Sequence, residues 1–177
     1  MDASEYHRRR RFARTPFGDI AFVERGSGPV AVFLHGYPLN GYQCRDIIER
    51  LSDARRCIAL DLMGAGYTRT ALDQAVAYPA QALMIDSFLD ALGIDQIDLV
   101  GNDSGSAVSQ IFAARHANRL RSLTLSAAPE PADRGGVGLF QVSGEGNWRG
   151  AGLGKGGNRR GELARLRPQS AESGPRA

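Results

Sequence analysis

Ile97-Asp98-Leu99-Val100-Gly101-Asn102-Asp103-Ser104-Gly105-Ser106 passes from a short apolar run through a glycine-flanked turn into a helical pattern. Gly101 and Gly105 stand two residues on either side of Asp103, and small flanks of this kind let a strand turn sharply into a helix. The central side chain then stands clear at the helix start, where unpaired backbone N–H groups favour an anion. An aspartate at the start of a helix can also be no more than a cap. The paired glycines favour a nucleophile-bearing turn centred on Asp103. Centring it on Ser104 would shift the flanks to Asn102 and Ser106, which lack the glycines that a strained turn needs.

Outward from this turn, strands and helices alternate. Phe17 to Glu24 and Val30 to Leu34 are rich in β-branched and aromatic residues and read as two strands joined by the tight turn Gly26-Ser27-Gly28-Pro29. Cys44, Ile47, Ile48 and Leu51 mark one helical face between Gly41 and Ser52, and Cys57 to Leu60 reads as a buried strand. Pro79 suits the first position of a second helix. Ile85, Phe88, Leu89 and Leu92 line its face and Gly93 stops it. A third helix is expected from Ser104 to about Asn118 and a last strand from Leu120 to Ser126. Alternation of this kind predicts a parallel sheet covered by helices, with ligands bound beyond the carboxyl ends of the strands. That places a site at the turns after Leu34, Leu60 and Val100.

The chain of 177 residues is 42% hydrophobic and 23% charged, enough for one globular core and contrary to collagen-like, coiled-coil or wholly disordered classes. Residues 1–128 carry 14 Arg, no Lys and 14 acidic residues, so the formal charge of +3 resides in residues 129–177. The same 49 residues hold 12 of the 22 glycines. Composition thus breaks near Pro129 and Pro131. Cys44 and Cys57 have no His or third Cys at ligand spacing, so they are expected as reduced thiols near the core, and no metal or other cofactor is expected. The polar first residues and the lack of a long apolar run point to neither a signal peptide nor a membrane span, with a cytoplasmic location as the expectation. Arg8 to Arg11 read as a solvated lead-in to the first strand, and nucleic acid is not expected as a partner of the body.

The turn His35-Gly36-Tyr37-Pro38 follows the strand Val30 to Leu34, about 65 residues before the Asp103 turn. Together with Thr15-Pro16-Phe17-Gly18 and Asp61-Leu62-Met63-Gly64-Ala65-Gly66, these turns resemble the N-terminal half of an α/β-hydrolase of the haloalkane dehalogenase and epoxide hydrolase group, from about Arg11 to Ser126. The resemblance implies a mostly parallel sheet flanked by helices, truncated before the cap and the C-terminal strands. It also implies a small haloalkane, epoxide or ester-like substrate. In that pattern Asp103 is the nucleophile, and the backbone N–H groups of Tyr37 and Ser104 form an oxyanion hole. His35, Gly36, Pro38, Gly101, Asn102 and Gly105 shape the site. The group commonly carries Trp where Ser104 stands and often Asn where Tyr37 stands.

A carboxylate nucleophile leaves an ester on the enzyme, and a histidine is needed to activate the water that removes it. Only His7, His35 and His116 occur. His35 belongs to the oxyanion turn, His116 is expected on the surface at the far end of the third helix, and His7 sits in a basic, exposed end. Glu130 is a weak candidate for the triad acid, and Asp61 reads as a residue shaping the rim. The resemblance therefore divides the chain into residues 1–128, the N-terminal part of a hydrolase core, and residues 129–177, a Gly/Arg-rich tail. That tail is expected to be disordered or the product of a shifted reading frame. Gly152, Gly154 and Gly157 spell G-x-G-x-x-G, but no strand is expected before them, so a dinucleotide site is not. The alternative function is noncatalytic binding of RNA or acidic partners through this tail.

Overall fold

The computed structural model describes residues 1–128, 138–143 and 147–151. Its elements are α1 (Ala3–Arg8), β1 (Arg11–Thr15), β2 (Gly18–Arg25), β3 (Val30–Leu34), a 3₁₀ helix (Gly41–Cys44), α2 (Arg45–Leu51), β4 (Arg56–Leu60), α3 (Tyr78–Ala91), β5 (Ile97–Asn102), α4 (Ser104–Arg115), a second 3₁₀ helix (Ala117–Arg119), β6 (Leu120–Ala128), β7 (Gly138–Ser143) and β8 (Asn147–Ala151). The strands form one sheet in the order β1-β2-β4-β3-β5-β6-β7-β8. Its centre, β4-β3-β5-β6, is parallel, and the pairings at both flanks are antiparallel.

Alternation along β3 and β4 sends side chains to two cores. Val32, Leu34, Ile58 and Leu60 face a cluster closed by Ile85, Phe88 and Leu89 of α3 and by Val108 and Phe112 of α4. Ala31, Phe33, Cys57 and Ala59 face the other way, against Cys44 and Ile48. Both cysteines are free and buried, and burial pushes the Cys44 thiol up to about 12. With α2 on one face and α3 and α4 on the other, every parallel strand ends on the same side. The turns after β3, β4 and β5 therefore meet at one edge.

The first two predicted strands follow one another in the chain but do not pair with each other. β2 and β3 are joined by the Gly26–Pro29 turn, yet β4 lies between them and pairs with both, antiparallel to β2 and parallel to β3. A tight connection can change layer position as readily as it closes a ladder when a third strand has apolar residues on both faces, as Cys57 to Leu60 do. The helix expected over Gly41 to Ser52 begins as a 3₁₀ turn, and of its predicted face Ile47 and Leu51 remain exposed. β1 and α1 carry no clear period and were not expected. β6 is paired on its outer side by β7, and Asn147–Ala151 forms a strand where none was expected. Residues 129–137, 144–146 and 152–177, which include Glu130 and the G-x-G-x-x-G spelling, lie outside the described residues.

Phe88 is fully buried and packs edge-to-face on Phe22 with ring centroids 5.3 Å apart. Phe88→Ala is expected to lower the urea-derived stability by about 3–5 kcal/mol, whereas Leu83→Ala on the exposed side of the same helix should cost less than about 1 kcal/mol. Equal midpoints for the two variants would contradict the assignment of the α3 core face.

Candidate active site

Asp103 joins β5 to α4 with φ 51° and ψ −118°, the one non-glycine residue at positive φ among the described residues. Its side chain is exposed. The turn is made possible by close backbone packing. A Cβ on Gly105 would stand 2.6 Å from Leu34 O and 2.7 Å from His35 O, and one on Gly101 would stand 2.6 Å from Gly105 O. The start of α4 is thereby pressed against the end of β3. Asp103 N–H donates to Ser126 O (3.0 Å), and the buried Ser106 Oγ lies 2.9 Å from both Gly101 O and Ser126 O.

The turn after β3 lies directly opposite. A Cβ on Gly36 would meet Asp103 Cβ at 2.8 Å, so only glycine admits this approach. His35 is almost wholly buried. Its Nε2 accepts the Leu62 N–H at 3.0 Å, and its Nδ1 lies 3.0 Å from Gly36 O. A backbone N–H can only donate, so the hydrogen-bond network assigns the proton to Nδ1 and leaves Nε2 bare. Burial lowers the His35 pKa below the usual imidazole value, against the opposing pull of the Gly36 carbonyl and the Asp61 charge. Both ring nitrogens are thus committed to backbone, which suits a structural part for this residue. The Tyr37–Pro38 peptide is cis, and the Tyr37 side chain points into solvent. Among the described residues, neither the Tyr37 N–H nor the Ser104 N–H finds an acceptor. The latter is one of the unpaired donors that begin any helix.

These two residues border an apolar pocket of about 180 Å³ whose other walls include His35, Leu62, Met63, Val76, Tyr78 and Val108. The wall after β4 is held by side-chain amides and carboxylates acting as backbone partners. Gln81 accepts from Met63 N–H and donates to Met63 O, both at 2.9 Å. Asp61, 3% exposed, accepts the N–H groups of Gly41 and Tyr67, each at 2.8 Å. Both of its oxygens are engaged, which fits the rim-shaping reading.

The remaining histidines lie elsewhere. His116 caps the far end of α4, stacked on Phe112 and 3.3 Å from Asp86, which Arg119 also meets at 3.2 Å. It is half-buried in the groove between α3 and α4, not on the surface as expected, because its ring continues the apolar face of α4. His7 lies on α1, edge-on to Tyr67. No three His, Cys, Asp or Glu residues gather as a metal site among the described residues, and no described helix is long and apolar enough to cross a membrane.

A family model described as the alpha/beta hydrolase fold matches residues 29–158, spanning both turns and running past Ser126. The chain belongs to the α/β-hydrolase fold family. Haloalkane dehalogenase 2 of Mycobacterium tuberculosis is 34% identical over 108 residues, covering 61% of this chain and 38% of the relative. Epoxide hydrolase 3 of Xenopus tropicalis is 30% identical over 135 residues, covering 73% of this chain and 36% of the relative. Among solved structures, a Vigna radiata epoxide hydrolase is 26% identical with a TM-score of 0.65, over 71% of this chain and 42% of that one. This α/β-hydrolase chain therefore spans well under half the length of these relatives.

Of the residues singled out from sequence, His35, Tyr37 and Ser104 line the pocket, while Gly36 packs against Asp103 and Gly105 against the carbonyls of Leu34 and His35. Gln43, Gln81 and Ser126 went unnoticed. A lone Gln or Ser in a loop carries no periodicity, and only the partner's position in space gives it meaning.

Because folded His35 binds a proton less readily than unfolded His35, its share of stability is present above the unfolded value of about 6.5 and is lost as pH falls through and below it. His35→Gln keeps an acceptor near Leu62 N–H but does not titrate. The variant should be less stable than wild type at pH 8 and lose less between pH 7 and pH 5, by urea midpoints. Parallel pH profiles would refute the neutral clamp.

Proposed function

We propose that Asp103 is the nucleophile of a hydrolase acting on a small haloalkane, epoxide or ester-like substrate. The observation that carries this reading is the exposed Asp103 carboxylate at positive φ, next in the chain to Ser104 of the apolar pocket wall, with the Tyr37 and Ser104 N–H groups unengaged among the described residues. The names of the relatives support the same substrate class.

With a haloalkane or epoxide in the pocket, a carboxylate oxygen attacks the electrophilic carbon as the carbon–halogen or carbon–oxygen bond breaks. The bonding pair leaves with the halide or remains on the ring oxygen, which then takes up a proton. An ester on Asp103 results. Water attacking the ester carbonyl turns its oxygen into an oxyanion, which the Tyr37 and Ser104 N–H groups are disposed to receive. Loss of one such donor commonly costs about 10² to 10³ in rate.

Water activation is the step for which no histidine is placed among the described residues. His35 has both nitrogens occupied, His116 lies beyond a helix of twelve residues, and His7 is on α1. General-base help is worth about 10² to 10⁴, so this chain should form the ester and release it very slowly. Incubation with a small alkyl halide or epoxide followed by mass spectrometry is expected to give a stoichiometric burst with one adduct, on Asp103. Asp103→Asn, nearly isosteric, should abolish the adduct without unfolding the chain. Labelling of Ser104 or Asp61 with none on Asp103 would overturn the nucleophile, and steady turnover by the purified chain would overturn the single-turnover reading.

A further inference from the structure

We infer that Gln43 is a positioning residue that locks the turn after β3 to the nucleophile turn, so that the Tyr37 and Ser104 N–H groups address one point. The chemistry of this inference rests on the Asp103 reading, whereas its geometry does not. Gln43 sits in the 3₁₀ helix after Asn40. The base of that helix is fixed by the Asn40 side chain on Tyr42 N–H (3.0 Å) and by buried Asp61 on Gly41 N–H (2.8 Å). From there its carboxamide reaches both halves of the site. Oε1 accepts the Gly36 N–H at 2.9 Å, and Nε2 donates to Asn102 Oδ1 at 3.0 Å. Asn102 Nδ2 in turn donates to Ser126 Oγ at 2.7 Å, on the residue whose carbonyl holds Asp103 N–H.

The polarity of this chain is fixed at one end. Gly36 N–H can only donate, so Oε1 must face it. Nε2 must then face Asn102, whose own amide is left to face Ser126. Gly36 needs such a clamp because glycine gives its two flanking peptides almost free rotation, and Asp103 Cβ forbids any stiffer residue there. The peptide on its carboxyl side is held by Gly36 O, which lies 3.0 Å from His35 Nδ1 and accepts the Leu39 N–H at 2.9 Å. In a trans peptide the N–H points opposite to the carbonyl, so this also aims the Tyr37 N–H. The peptide on the amino side is held by Gln43. With both planes fixed, the glycine has no freedom left.

Gln43→Met keeps the volume and removes both bonds, and Gln43→Glu restores an acceptor for Gly36. In the full chain, amide hydrogen exchange at Gly36 should accelerate about tenfold in the Met variant, as expected for loss of a bond worth about 1.4 kcal/mol, and return toward wild type in the Glu variant. Hydroxylamine cleavage of the pre-formed alkyl ester on Asp103 needs no histidine but does develop an oxyanion. It should slow about 10- to 100-fold in Gln43→Met, while alkylation of Asp103, which develops none, changes less than about threefold. Should the Met variant fail to fold, Asn102→Ala breaks the same chain one link further on and should move both readouts the same way. Unchanged Gly36 exchange in a folded variant overturns the lock. Faster exchange with unchanged ester cleavage, or equal slowing of alkylation and cleavage, overturns the positioning role. If wild type is not alkylated at Asp103, the nucleophile reading falls, and Gly36 exchange still decides the lock.

Discussion

At Asp103 the backbone is held at φ 51°, ψ −118°, a conformation that costs a residue with a Cβ roughly 1–3 kcal/mol. Nothing local to an aspartate would choose it. The cost is met by the packing around it, since the start of α4 lies on the terminal carbonyls of β3 at Gly105, and Gly36 approaches Asp103 to within a methyl group's reach. Each contact tolerates no side chain. The strained turn, the glycines and the parallel pairing of β3 with β5 are therefore one constraint. Relaxing the turn would lift α4 from β3 and open the core that Val108 and Phe112 close.

Several polar residues that look available for chemistry are instead occupied as substitutes for backbone partners. His35 holds Leu62 N–H, Asp61 holds Gly41 and Tyr67 N–H, and Gln81 holds both the N–H and the carbonyl of Met63. The loops beyond β3 and β4 have no neighbouring strand at this edge, and their buried N–H groups must still be satisfied. Side chains reaching across do so, and in the process they fix the pocket wall. This accounts for why His35 and Gln81 line the pocket, and Asp61 holds the loop after β4, with their polar atoms already engaged.

The Asp103 turn was legible because its requirement is local, two glycines at fixed offsets between a strand and a helix. The faces of α3 and α4 were legible for a similar reason, since Ile85, Phe88, Leu89, Val108 and Phe112 repeat at helical spacing. What escaped was set by distance in space. The short Gly26–Pro29 turn joins β2 to β3 without revealing that β4 enters between them, its two faces serving two different cores. α1 escaped because its anchors, Tyr6 against Tyr42 and the chain's amino group on Glu49, lie on other elements. Gln43 escaped because a carboxamide becomes a clamp only when Gly36 and Asn102, which are 66 residues apart in sequence, stand on either side of it.

Ser126 connects the site to the far side of the sheet. Paired in register with Asn102, it supplies a carbonyl to Asp103 N–H and lies within hydrogen-bonding distance of Ser106 Oγ, while its hydroxyl accepts from Asn102. The ladder between β6 and β7 is regular from Ser122 to Leu125 and resumes only at Ala128, so two residues of β6 oppose one of β7 at this point. An irregularity of this kind bends the strand and releases it from its outer neighbour. Ser126 can then follow the geometry of the Asp103 turn without dragging β7 with it, while the regular pairing below keeps the β6 edge covered. A regular ladder through Ser126 would tie the carbonyl that holds Asp103 to the twist of the outer strands, and the strained turn would inherit every displacement of that flank.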